Sequence, residues 1–203
     1  EIYNGTGLTD EKIENKEIAK QSYALAVKMR PNYAIGLNNL ALMYNNEENY
    51  DSALFYYRKG YAITPEDLSI ISGMASTFAE ASKKDSALFY LQKLQLAAKD
   101  AEDIRKIGDV YVDLLNYDEA LKYFLKALAV HPSQYIYNNM GLAYENLQKT
   151  NEAKKYYQAA LGIDPVYPTS TRNLALLYSK AGQYDSAIYF FHKRFNVNPN
   201  DIA

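Results

Sequence analysis

There is no cysteine in this sequence, and that one absence removes disulfide scaffolds, cysteine-ligated zinc sites and thiol catalysis together. It leaves the compartment open, because a disulfide-free chain suits the cytosol and works equally well in a bacterial periplasm, at an envelope or outside a cell. Histidine is nearly as scarce. His131 and His192 stand far apart, and a lone histidine without a partner ligand carries no metal chemistry, so no metal is expected. Charge of one sign is missing too: 22 lysines and arginines against 24 acids leave a formal charge of −2, and no overall field would hold this segment on nucleic acid. No apolar run approaches the ~20 residues of a membrane-spanning helix, so membrane insertion by this segment is not expected. A glycine-rich phosphate loop, a Gly-x-Ser-x-Gly elbow and a His-Glu-x-x-His pair are all absent. No enzyme and no cofactor are expected. Asn4-Gly5-Thr6 matches a glycosylation acceptor, but a lone three-residue pattern carries no weight here. The sequence opens on Glu1 rather than methionine, which leaves room for a removed signal peptide or a longer N-terminal part.

What the 203 residues do contain is a period. They are 48% hydrophobic, enough for a continuous core, and the apolar residues recur in register. Alanine stands at Ala19, Ala53, Ala87, Ala120, Ala153 and Ala187, at steps of 34, 34, 33, 33 and 34. Four residues after each comes a large side chain: Tyr23, Tyr57, Leu91, Phe124, Tyr157 and Phe191. Prolines close most periods at Pro31, Pro65, Pro132, Pro165 and Pro199, with Lys99 in the missing place, just before the period shortens by one. Each period reads as two helices. From Ala34 to Asn46, Ile35, Leu37, Leu40, Ala41, Leu42 and Tyr44 follow helical rather than strand spacing. In the Asn-Tyr-Asp runs at 49–51 and 116–118 the asparagine can cap the next helix, and the aspartate sits in its first turn. The spacing predicts at least ten helices in antiparallel hairpins, with turns near 47–49, 81–84, 114–116, 148–150 and 181–183.

The run Leu40-Ala41-x-x-Tyr44, then Tyr50-Asp51-x-Ala53-x-x-x-Tyr57-x-x-Gly60, then Pro65, resembles the tetratricopeptide repeat. Ile107-Gly108-x-x-Tyr111 followed by Tyr117-Asp118-Glu119-Ala120, Phe124, Ala127 and Pro132 resembles it more closely still. The likeness covers about residues 16–199. It implies an all-α fold, a right-handed α-solenoid of stacked helical hairpins. Five tandem hairpins are expected at 34–67, 68–100, 101–133, 134–167 and 168–203. Residues 1–33 would form an N-terminal extension plus the second helix of a partial repeat, because Gly7 and Asp10 stand where a first helix needs a small residue and an aromatic. Ala41, Ala75, Gly108, Gly141 and Ala175 are expected to let the two helices of a hairpin close up. Tyr44, Phe78, Tyr111, Tyr144 and Tyr178 are expected to fill the space between hairpins, and the tyrosines of the repeat columns, Tyr184 among them, to be core. Lys84 and Lys99 depart from the pattern, and the weakest stretch is expected there. The terminal repeat carries Ile188, Phe190, Phe191 and Phe195 with no solvating helix behind Pro199, so self-association through it is expected.

The resemblance also implies that the first helices line a concave groove. Its polar positions would meet a protein or peptide partner. The candidates are Asn38, Asn39, Arg105, Tyr135, Asn138, Asn139, Arg172 and Asn173. Asparagine donates and accepts at once, which suits the main chain of an extended peptide and suits equally a bond between neighbouring helices. Chaperone-binding members of the family hold a C-terminal carboxylate with basic residues on consecutive repeats. Here Asn39 could play one part, but Ser69 and Gly73 stand where the basic pair belongs, so that specialisation is disfavoured. The expected function is a binding module that recruits or scaffolds a partner in its groove. The rival is a structural spacer or self-association segment of a larger regulatory or envelope protein.

Overall fold

The structure, a computed structural model, describes residues 16–195. Gly7, Asp10, the Asn4-Gly5-Thr6 acceptor, Pro199 and the side chain of Phe195 lie outside the described residues. Among those described there are eleven helices and no strand. They are α1 (Lys16–Met29), α2 (Ala34–Asn46), α3 (Tyr50–Ile63), α4 (Leu68–Glu80), α5 (Lys84–Ala97), α6 (Ala101–Asp113), α7 (Tyr117–Val130), α8 (Gln134–Asn146), α9 (Thr150–Ile163), α10 (Pro168–Lys180) and α11 (Tyr184–Phe195). The chain divides into two compact units, Glu1–Ala98 and Lys99–Ala203. The division falls beside Lys99, where the proline column is broken.

Local chemistry sets the helix ends. Asn49 and Asn116 cap α3 and α7 by accepting from the backbone N–H of Ser52 at 3.2 Å and of Glu119 at 3.3 Å. Asp67, Asp100 and Ser133 do the same for α4, α6 and α8. Each hairpin turn is three residues long and closes with one repeated bond: the N–H of Asn49, Lys83, Asn116, Lys149 or Gln183 reaches the carbonyl five residues back, at 2.8–2.9 Å. That geometry needs a left-handed residue in the middle of the turn. Gly182 supplies one case without strain, but Glu48, Ser82, Leu115 and Gln148 take φ between 56° and 59° with side chains attached.

Within the first compact unit α2 packs on α3 and α4 on α5, while α1 lies against α2 and α3 against α4. The second repeats the scheme with α6/α7, α8/α9 and α10/α11, joined through α7 against α8 and α9 against α10. The buried clusters sit at these joints. Ala19 and Tyr23 meet Leu40 and Met43, Ala120, Leu121 and Phe124 meet Ile136 and Met140, and Tyr157 and Leu161 meet Leu174 and Leu177. Within each compact unit, neighbouring hairpins therefore bury their apolar faces on one another, as in other one-dimensional arrays. All six alanines of the repeat column are buried.

The small first-helix residues work as expected at the glycines. A Cβ on Gly141 would stand 2.5 Å from the Tyr157 ring, and one on Gly108 would enter the ring of Phe124. The aromatic column makes a contact that was not expected. Tyr44, Phe78, Tyr111, Tyr144 and Tyr178 stack inside their own hairpin on Tyr56, Tyr90, Tyr123, Tyr156 and Phe190, with centroids 5.1–5.6 Å apart, while Tyr44 and Tyr178 also pack against the preceding repeat, under Lys20 and Lys154. The stacking partners occupy a second aromatic column, twelve residues on. Tyr184 is not core at all, being 66% exposed. At the last hairpin Ile188 is exposed as expected, whereas Phe190 is covered on one face by Tyr178.

Candidate functional site

The first helices of the second compact unit, α6, α8 and α10, carry a connected polar chain. It begins on α6. Arg105 Nε donates to Glu102 Oε2 at 2.8 Å and its guanidinium also grips Asp109, one turn further along the same helix. Burial opposes the arginine's charge, but the bonds from Glu102 and Asp109 hold its pKa above the ordinary range. Hydrogen bonding from Arg105 holds the Glu102 carboxyl below its usual value. For Asp109 burial is the stronger influence and pushes the carboxyl up.

From Asp109 the chain crosses to α8, where Asn139 Nδ2 donates to Asp109 Oδ1 at 2.7 Å. Asn138 beside it is buried, and its Oδ1 accepts from Ser170 Oγ at 2.9 Å and Asn173 Nδ2 at 3.3 Å, both on α10. A second crossing lies two turns along: Lys180 donates to Glu145 Oε1 at 2.9 Å, and Tyr157 donates to Glu145 Oε2 at 3.0 Å. Burial pushes the Tyr157 phenol up, so it stays protonated as the donor.

Of the eight residues singled out by sequence, six thus gather on α6, α8 and α10. Arg105, Asn138, Asn139 and Asn173 bond to neighbours in the array, which is the helix-bridging alternative for the amides. Tyr135 and Arg172 face solvent; Tyr135 is 53% exposed and makes an edge-to-face pair with Tyr167, at 5.4 Å between centroids. Tyr135 borders a cleft of ≈ 410 Å³ walled by Ala101, Val130 and Ile136, with Asp100, Glu102 and His131 at its edges. Asn38 and Asn39 lie half-buried on α2, in the first compact unit. Sequence reasoning left Leu142 and Leu176 out of the candidates on this face. One signal could have found the crossings: complementary polar residues 35 apart, as in Asn45 to Glu80, Asn138 to Asn173 and Glu145 to Lys180. Among the described residues no group of three or more histidines and acids could hold a metal ion, and no helix is long and apolar enough to cross a membrane.

The tetratricopeptide-repeat family model matches residues 35–67, 106–134 and 135–167. Those three stretches are tetratricopeptide repeats. The repeats outside those matches include α4 and α5, where Lys84 departs from the pattern, as does Lys99 just beyond. No curated protein matches the sequence. Among solved structures, the thermophilic tetratricopeptide-repeat protein TTC0263 of Thermus thermophilus is similar with a TM-score of 0.71 and 20% identity, over 92% of this chain and 97% of that one. An IFIT1 monomeric mutant with Gppp-AAAA gives 0.70 and 19% over 89% of this chain, and a chain of the APC/C hetero-tetramer Cut9-Hcn1 gives 0.67 and 18% over 98%. This chain spans 46% and 40% of those two. At such identities the likeness shows the fold alone. Proteins built of tetratricopeptide repeats are generally non-catalytic scaffolds that act through protein interactions.

Proposed function

We propose that this repeat array is a protein- or peptide-binding module whose partner lies on the first-helix surface, with no chemistry supplied by the chain itself. The observation that carries the reading is Tyr135. A large amphipathic ring stands half out of the surface at the mouth of an apolar cleft, the arrangement expected of an anchor for a partner's side chain. The proposed contacts are Asn38 and Asn39 in the first compact unit and Arg105, Tyr135, Asn138, Asn139, Arg172 and Asn173 in the second. Exposure favours Tyr135 and Arg172 as those that touch the partner directly. The test replaces Tyr135 in one variant, and the exposed outer Lys122 of α7 in another, by a photo-cross-linking phenylalanine derivative. A partner captured from source cells through position 135 and not through 122 is the expected result. Capture through 122 alone moves the binding surface to the outer helices.

A second reading, self-association, is favoured by Ile188 and Tyr189, which are 52% and 60% exposed on α11. Light scattering at high concentration should then report a dimer or larger species that Ile188→Glu dissociates. A monomer throughout removes this reading.

A further inference from the structure

The reading above leaves the partner's chemistry open, and the bonding on α8 and α10 narrows it. Three bonds tie these helices side by side: Ser170 to Asn138 at 2.9 Å, Asn173 to Asn138 at 3.3 Å and Lys180 to Glu145 at 2.9 Å. Leu142 lies between the α8 ends of these bonds and Leu176 between the α10 ends. The two leucines are therefore neighbours on one face, and each is 38% exposed. Arg172 precedes Leu176 by one helical turn, which puts it on the same stripe.

Nearly every other charge and amide here is already matched. Arg105 is held by Glu102 and Asp109, Lys180 by Glu145, and the amides of Asn138, Asn139 and Asn173 by one another and by Asp109 and Ser170. Arg172 is exposed and makes no ion pair among the described residues. What the face offers a partner is a pair of aliphatic side chains and one unspent guanidinium. Resting on the binding-module reading, we propose that the partner is an extended acidic peptide of the pattern Asp/Glu-x-Leu/Ile/Val, its carboxylate on Arg172 and its aliphatic side chain between Leu142 and Leu176. The spacing agrees. In an extended peptide residues i and i+2 point the same way about 7 Å apart, and residues one turn apart on a helix lie about 5–6 Å apart. A guanidinium takes a carboxylate through two parallel bonds, which gives direction as well as charge matching.

The experiment selects binders from a displayed library of random peptides on the full chain and on its Arg172→Glu and Leu142→Asp variants, with melting curves recorded for all three. Enrichment of acid-x-aliphatic peptides on the native chain is expected. The best synthetic peptide should bind at least tenfold more weakly to both variants, and Arg172→Glu should select basic residues at the acidic position. A basic or uncharged consensus, or an acidic one indifferent to Arg172→Glu, overturns the acidic-peptide inference. If such peptides still depend on Tyr135, shown by Tyr135→Ala, the groove reading survives that result. No enriched peptide on a folded chain overturns both. An Arg172-dependent complex with a single-stranded oligoadenylate that displaces the selected peptide also overturns the inference, since it makes phosphate the occupant.

Discussion

The helices α4 and α6 hold the same place in their hairpins and are secured by different chemistry. On α4, in the first compact unit, Ile70, Ile71, Met74 and Phe78 are buried, and its hydroxyls bond within the helix, Thr77 Oγ1 to the carbonyl of Gly73 at 2.7 Å and Ser72 Oγ to that of Ser69 at 3.0 Å. Gly73 admits the ring of Tyr57, to which a Cβ would come within 2.5 Å. On α6, in the second, the columns of Ser72 and Gly73 hold Arg105 and Lys106, bonded to Glu102, Asp103 and Asp109, with Asp109 reaching on to Asn139. One repeat thus tolerates either an aromatic ring over glycine or a polar bridge at its first-helix column. The difference teaches that the repeat constrains the hairpin joint tightly and the first-helix surface loosely. That freedom lets one fold present different faces.

Gly108→Leu drives side-chain atoms into Phe124 inside the α6/α7 hairpin, and should cost about 3 kcal/mol by thermal or urea unfolding. Gly73→Leu, against Tyr57 of the preceding hairpin, should cost a similar amount. If only one of the two is destabilised, the contact within a hairpin and the contact between hairpins are not equally tight. Asn138→Ala leaves Ser170 and Asn173 without their buried acceptor and should cost about 2 kcal/mol. A change below a few tenths would mean the chain on α6, α8 and α10 does not secure the helices.

The link Asn45 to Glu80 at 2.7 Å occupies the same columns as Glu145 to Lys180, so the two can be exchanged. Asn45→Glu alone would set two carboxylates together and destabilise, whereas Asn45→Glu with Glu80→Lys should recover a coupling of about 0.5 kcal/mol in a double-mutant cycle. Additive effects would show that the columns are not interchangeable. Leu115→Gly relieves a left-handed, 73% exposed leucine in the α6/α7 turn. Glycine's greater freedom in the unfolded chain offsets most of the gain, leaving about 0.3 kcal/mol of stabilisation in the urea midpoint. A loss of stability would show that the leucine side chain holds the turn.

Much of this architecture was legible in the residues. First helices begin at Ala34, Leu68, Ala101, Gln134 and Pro168, in step with the period of the alanine column. The turn expected at 148–150 lies at 147–149. Caps, prolines and alternating helical faces are local, so they can be read locally. The stacking of Tyr44 on Tyr56 was less accessible, because both residues are aromatic in a chain holding 21 tyrosines and nothing local says which two meet. The candidate face was legible as a set of positions but not as a set of roles. Asn138 and Arg172 stand in the same repeat column, yet one is buried and bonded while the other is exposed.

The sequence by itself determined the period, the helix boundaries, the small residues at the joints and hence the repeat, because each follows from short-range sterics, capping and apolar spacing. The folded arrangement alone decided which first-helix polar groups are matched by neighbours and which stay exposed. That outcome depends on side chains some 30 to 35 residues apart meeting within hydrogen-bond distance, as Asp109 meets Asn139 and Asn138 meets Asn173. Such a match is made when one hairpin docks on the next, and that docking leaves Tyr135, Leu142, Arg172 and Leu176 facing solvent.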